Sequence, residues 1–140
     1  MDPFTHRFRV RYAELDPQAV VFNSRYLEYA DILVTEFFRS AHANGMPQDL
    51  EFHVRRAEVD FLKPIRADEE IEGQLTIDRI GNSSMAMTIS LDGAGGGPAD
   101  RRAIVTLLQV HVDLASGEPL RIPDALRTAF GFELEGAAHG

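Results

Sequence analysis

The 140-residue chain contains no cysteine. That excludes disulfides, thiolate zinc sites, iron–sulfur clusters and a cysteine nucleophile. Positive charge is also scarce: 14 basic residues against 22 acidic ones leave a net charge of −8. Duplex DNA or RNA needs a basic footprint, so no nucleic-acid partner is expected. No apolar run approaches the ~20 residues that cross a bilayer, so no membrane partner is expected. The opening MDPFTHRFRV has no apolar stretch behind its basic residues, unlike a signal peptide, and a reduced cytoplasmic setting is the default expectation. Lysine is almost missing. Lys63 is the only one, and the remaining basic residues are arginine, whose planar fork suits phosphate.

What is present is ordinary for one soluble globular domain: 44% hydrophobic and 26% charged residues, in a chain long enough to bury a core without disulfides. Residues 1–132 are expected to form that single domain, and residues 133–140 a disordered tail. Residues 6–12 alternate Phe8, Val10 and Tyr12 against Arg7, Arg9 and Arg11, the period of a strand with one wet face, before Asp16-Pro17 breaks it. Residues 24–44 read as one long helix. Leu27, Ala30, Val34, Phe37 and Ala41 recur at three- and four-residue steps, widened by Leu33 and Phe38. Asn23 or Ser24 can cap its start, and Gly45 with Pro47 can end it.

Four strand-like segments follow, over 54–62, 70–79, 85–91 and 103–114. The last is nearly all apolar and reads as a central strand buried on both faces. Gly81-Asn82 signals a tight turn. Residues 93–98, GAGGGP, read as a flexible hairpin loop that lacks the lysine and hydroxyl of a nucleotide-phosphate cradle. Pro123 opens a short helix that stops at Gly131. A lone helix of ~20 residues is about 30 Å long and must bury its stripe on the sheet. The expected class is α+β, an antiparallel sheet curled around one helix.

The stretch from Arg11 to Leu27, RYAELDPQAVVFNSRYL, resembles the signature of hotdog-fold acyl-CoA thioesterases of the 4-hydroxybenzoyl-CoA thioesterase type. The likeness continues in AEVDFLKPIR (57–66), IGNSS (80–84) and IPDALR (122–127), and covers nearly the whole chain. It implies a hotdog: an antiparallel sheet wrapped round the long helix. It also implies a homodimer whose two sheets run together, or a homotetramer of two such dimers, with acyl-CoA as substrate and active sites at the subunit seam. No metal or other cofactor is expected.

By that resemblance Asp16 is the catalytic carboxylate, either attacking the thioester carbonyl or acting as general base on water. The backbone N–H at Asn23 takes the oxyanion position, where free amides and the helix dipole stabilise developing negative charge. Tyr26 can line the acyl slot, and Lys63, Arg66, Ser83 and Ser84 match positions that hold pantetheine or nucleotide groups. Arg101-Arg102 is a further basic spot. Plainer readings stand beside these. Asp16 can simply shape an Asp-Pro turn, Asn23 a helix cap, Tyr26 and Tyr29 the core, and the polar set a solvated strand end and hairpin turn. Two departures are visible. Gln18-Ala19 stands where the family usually has glycine, and Asn23 where many relatives carry histidine or an aromatic residue. Two rival functions remain: hydrolysis of an acyl group on acyl carrier protein, which the acidic second half disfavours, and non-catalytic acyl-CoA binding. The five histidines show no close helical spacing of a zinc site, and no G-x-S-x-G elbow supports a serine nucleophile.

Overall fold

Five strands form one antiparallel sheet in the order β1-β3-β4-β5-β2 in a computed structural model that describes residues 2–47 and 49–132. They are β1 (Phe4–Arg9), β2 (Phe52–Phe61), β3 (Glu70–Ile80), β4 (Ser84–Gly93) and β5 (Arg101–His111). Helix α1 (Arg25–Ala43) lies across the sheet, and the short α2 (Asp124–Ala129) follows β5. The α+β expectation and the element order both hold. The expected tail lies outside the described residues.

Helix α1 forms where its apolar residues recur, but the buried face is rotated from the expected stripe. Tyr26, Tyr29, Ala30, Leu33 and Phe37 are buried, whereas Leu27 is 44% exposed. Two overlapping apolar stripes run along this helix, and the sheet takes the one that carries Leu33. Leu33 settles over Gly73 of β3, where an added Cβ would stand 2.5 Å from the leucine Cδ2. Gly73 therefore lets helix and sheet approach closely. Neither Asn23 nor Ser24 makes the expected cap; Ser24 is the N-cap residue, without a side-chain bond to the helix. Gly45 ends the helix with φ +97°, as its position requires.

The other strands match the expected segments to within a few residues, with two corrections. β1 spans Phe4–Arg9 rather than 6–12. Tyr12, expected on its apolar face, opens a 3-10 turn (Tyr12–Glu14) and is 80% exposed, because the Glu14 carboxylate accepts the Arg11 N–H and folds the chain back. β5 is next to the edge rather than central, because β2 adds outside it. Residues 93–100 are not a loose loop. Asp100 packs into the space a Cβ at Gly93 would need and bonds Arg102 at 2.9 Å. Pro123 is the N-cap of α2 rather than its first residue. Arg127, fully buried, then donates to the carbonyls of Gly81 (2.8 Å) and Asn82 (3.0 Å), pinning α2 beneath the β3–β4 turn.

Candidate active site

Asp16 heads a small turn. Its N–H donates to the Val20 carbonyl (2.8 Å), and its Oδ1 accepts the Gln18 N–H (2.8 Å) and, more weakly, the Val20 N–H (3.4 Å). The turn-shaping role is thus real. Oδ2 has no protein partner among the described residues. The turn closes through Ala19 at φ +63°, a left-handed conformation that costs an alanine about 1 kcal/mol. Here the chain carries alanine where the resembled family has glycine, and it keeps the glycine-like backbone.

From the turn the chain returns antiparallel to itself. Leu15 bridges Val21, Val20 bridges Arg66, and the Val21 N–H donates to the Ile65 carbonyl at 2.8 Å. Asn23 and Ser24 then lead into α1. Among the described residues their backbone N–H groups make no protein hydrogen bond, whereas Arg25 and Tyr26 donate to the carbonyls of Phe22 and Asn23. These two free amides stand at the positive end of a 19-residue helix, where the dipole favours negative charge. They adjoin a cavity of about 230 Å³ lined by Val20, Asn23, Tyr26, Phe61 and Lys63. Tyr26 is buried, its ring edge-on to Phe61 at 4.9 Å, so it belongs to the core and to the cavity wall together. Burial raises its hydroxyl above the usual tyrosine pKa, against a lowering contribution from the Ile65 backbone.

The cations around this cavity are not equally free. Lys63 Nζ donates to the Ala99 carbonyl at 3.1 Å and faces Asp100 at 3.7 Å. Arg102 is held by Glu69 (2.7 Å) and Asp100 (2.9 Å), which with their hydrogen bonds raise its pKa. Arg101 pairs with Asp92 at 2.9 Å. The Arg101-Arg102 spot is therefore neutralised by the protein's own carboxylates. Arg66 has an exposed side chain without an ion pair among the described residues.

Within one protomer the expected site residues fall into two groups. Asp16, Asn23, Tyr26, Lys63 and Arg66 gather where β2 ends and β3 begins. Ser83 and Ser84 sit at the far end of β3 and β4, where the His111 N–H donates to the Ser83 carbonyl. Ten residues of strand separate the two ends, roughly 30 Å.

Residues 10–130 match the family model of the thioesterase-like superfamily. The chain belongs to that superfamily. Its fold is the hotdog, and its reaction class is thioester hydrolysis. Among superfamily relatives, an acyl-CoA thioester hydrolase of Escherichia coli, YbgC, is 26% identical over 125 residues, 87% of this chain and 91% of that one. A putative esterase of Aquifex aeolicus is 30% identical over 81 residues, 56% of this chain and 63% of that one, so the match spans less than two thirds of that relative. A solved thioesterase from Thermus thermophilus, complexed with coenzyme A and Zn, superposes with TM-score 0.76 at 26% identity, covering 91% of this chain and 96% of that one.

One residue that sequence reasoning passed over is Glu14. It is only 4% exposed. An acid in a turn gives no local signal of burial; the partner that buries it, Tyr29, lies 15 residues away.

Proposed function

We propose that the protein hydrolyses acyl-CoA thioesters in the cytoplasm as a homo-oligomer built on a homodimer. Asp16 supplies the carboxylate and the free amides of Asn23 and Ser24 the oxyanion site. The observation that carries this reading is the pairing of an unpartnered Asp16 oxygen with unpartnered helix-start amides on one short turn-and-return segment. The thioester carbonyl oxygen would lie on the amides. As base, Asp16 would take a proton from the attacking water and pass it to the thiolate as the acyl–sulfur bond breaks. As nucleophile, it would displace the thiolate to form an acyl-aspartyl anhydride, which water then hydrolyses to the free acid and the Asp16 carboxylate, the water's proton going to the thiolate. Arg66, with Lys63 behind it, offers the nucleotide end a cation.

The homodimer is supported by β2. It is a ten-residue edge strand, nearly all exposed, and it carries apolar Val54 at 56% exposure and Phe61 at 51%. An edge like this is open to pairing. Its basic residues His53, Arg55 and Arg56 lie in the first half, and Glu58 and Asp60 in the second. An antiparallel copy therefore meets it with opposite charges. The same pairing sets the Phe52 end of one copy beside the Phe61 end of the other. Since Phe52 pairs with His111 and His111 bonds Ser83, Ser83 of the partner subunit arrives at the Asp16 end. A second copy thus joins the two groups of site residues that one protomer keeps apart.

The experiment is free-thiol release from a panel of acyl-CoAs, run beside matched acyl-carrier-protein thioesters. Turnover of at least one CoA thioester is expected. Binding without turnover across the panel would favour the non-catalytic reading, and preference for the carrier-protein forms would change the substrate. For the dimer, Val54→Lys places a charge on an already exposed edge. By sedimentation it should shift the particle from a multiple of 15.6 kDa toward that chain mass, with the fold retained. An unchanged mass would remove β2 from the interface.

A further inference from the structure

We propose that Glu14 is the positioning residue of this site, fixing the Asp16 turn relative to the start of α1. The inference rests on the functional reading above. Glu14 is a buried acid that the chemistry itself does not use. Its Oε1 accepts the Tyr29 hydroxyl (2.8 Å) and the Arg11 N–H (2.9 Å), and its Oε2 accepts the Arg11 guanidinium at 2.9 and 3.1 Å. Its backbone carbonyl accepts the Phe22 N–H at 3.0 Å. One residue thus holds the segment that enters the Asp16 turn, the segment that leaves it, and the second turn of α1.

Burial alone would push the Glu14 carboxyl up, but the Arg11 and Tyr29 hydrogen bonds and the Arg11 charge outweigh it and hold the group below the usual range. The Tyr29 hydroxyl is pushed well above its usual pKa and keeps its proton. The bond between them is therefore charge-assisted across the neutral pH range, stronger than a neutral pair. Tyr29 is itself fixed, its ring 4.7 Å from Phe8 and 6.2 Å from Tyr26. The carboxylate stands at one end of the turn-and-return segment and the oxyanion amides at the other, where α1 starts, and this buried contact braces the two ends against each other. A displacement of about 1 Å between such groups can cost on the order of 100-fold in rate.

The test compares Glu14→Gln, Tyr29→Phe and the double variant on an acyl-CoA that the wild type turns over. Assays run well below each thermal midpoint, with the folded fraction fixed by circular dichroism. Each single change is expected to lower kcat by about 10- to 100-fold with KM within about two-fold. The double variant should be little worse than the poorer single, because both break one contact. Glu14→Asp, which keeps the charge, should recover part of kcat over Glu14→Gln. Wild-type kcat in folded Tyr29→Phe, with only a lower thermal midpoint, would overturn the inference, and that variant decides should Glu14→Gln fail to fold. Asp16→Asn is the control. If it too keeps wild-type kcat, the site reading falls; if it is inactive while Tyr29→Phe is not, only the role of Glu14 falls.

Discussion

Asp16→Asn is expected to lower kcat by about two to four powers of ten, the range that a positioned acid–base group contributes. Asparagine suits the experiment better than alanine. It keeps an oxygen that can accept the Gln18 N–H, so the turn and the Val20 return survive, while the anion disappears. The thermal midpoint should then move little, and the loss belongs to chemistry rather than folding. Alanine removes both roles and should destabilise the turn as well. Free-thiol detection is clean here because the protein contributes no thiol of its own. Asp16→Asn turnover within a few-fold of wild type would reject Asp16 as nucleophile or base. The helix-start amides would then polarise the carbonyl without help from Asp16.

The second large effect concerns Gly73. A methyl group there would stand 2.5, 2.7 and 2.9 Å from three carbons of Leu33. Leu33 is fully buried, so it cannot swing into solvent. Gly73→Ala is expected to destabilise the fold by about 1–3 kcal/mol through overpacking, and Leu33→Ala by about 2–5 kcal/mol through a cavity. Combined, the new methyl occupies part of the space the leucine vacates. The double variant should therefore be more stable than the sum of the singles by more than about 0.5 kcal/mol, measured by urea unfolding. Strict additivity would show that the helix rests elsewhere on the sheet. The contact matters for function as well, because the height of α1 above β3 sets where its first amides stand.

Much of this architecture could be read from local signals. The stop at Gly45, the Gly81-Asn82 turn and the order of strands and helices are carried by residues a few positions apart. The choice of which stripe of α1 faces the sheet was not. Leu27 and Leu33 are equally apolar, and it is Leu33 that fills the gap over Gly73. Tyr12 continues the alternation of β1 in sequence, yet Glu14 turns the chain before it. At the site, Asp16 and Asn23 are candidates that an ordered motif suggests. Glu14 was missed, because its burial depends on a tyrosine in another element. The separation of Ser83 and Ser84 from Asp16 was hidden for a similar reason. Spacing along a chain does not say at which end of a long sheet a turn emerges, nor that a reversed second copy can bring the far end back.

Lys63 gives the molecule an unusual analytical property. A reagent that modifies side-chain amines meets one residue in the whole sequence, and that residue stands in the wall of the cavity beside Asn23. A compound that covers Lys63 on filling the cavity lowers labelling at that one position, so its binding can be read without a substrate that turns over.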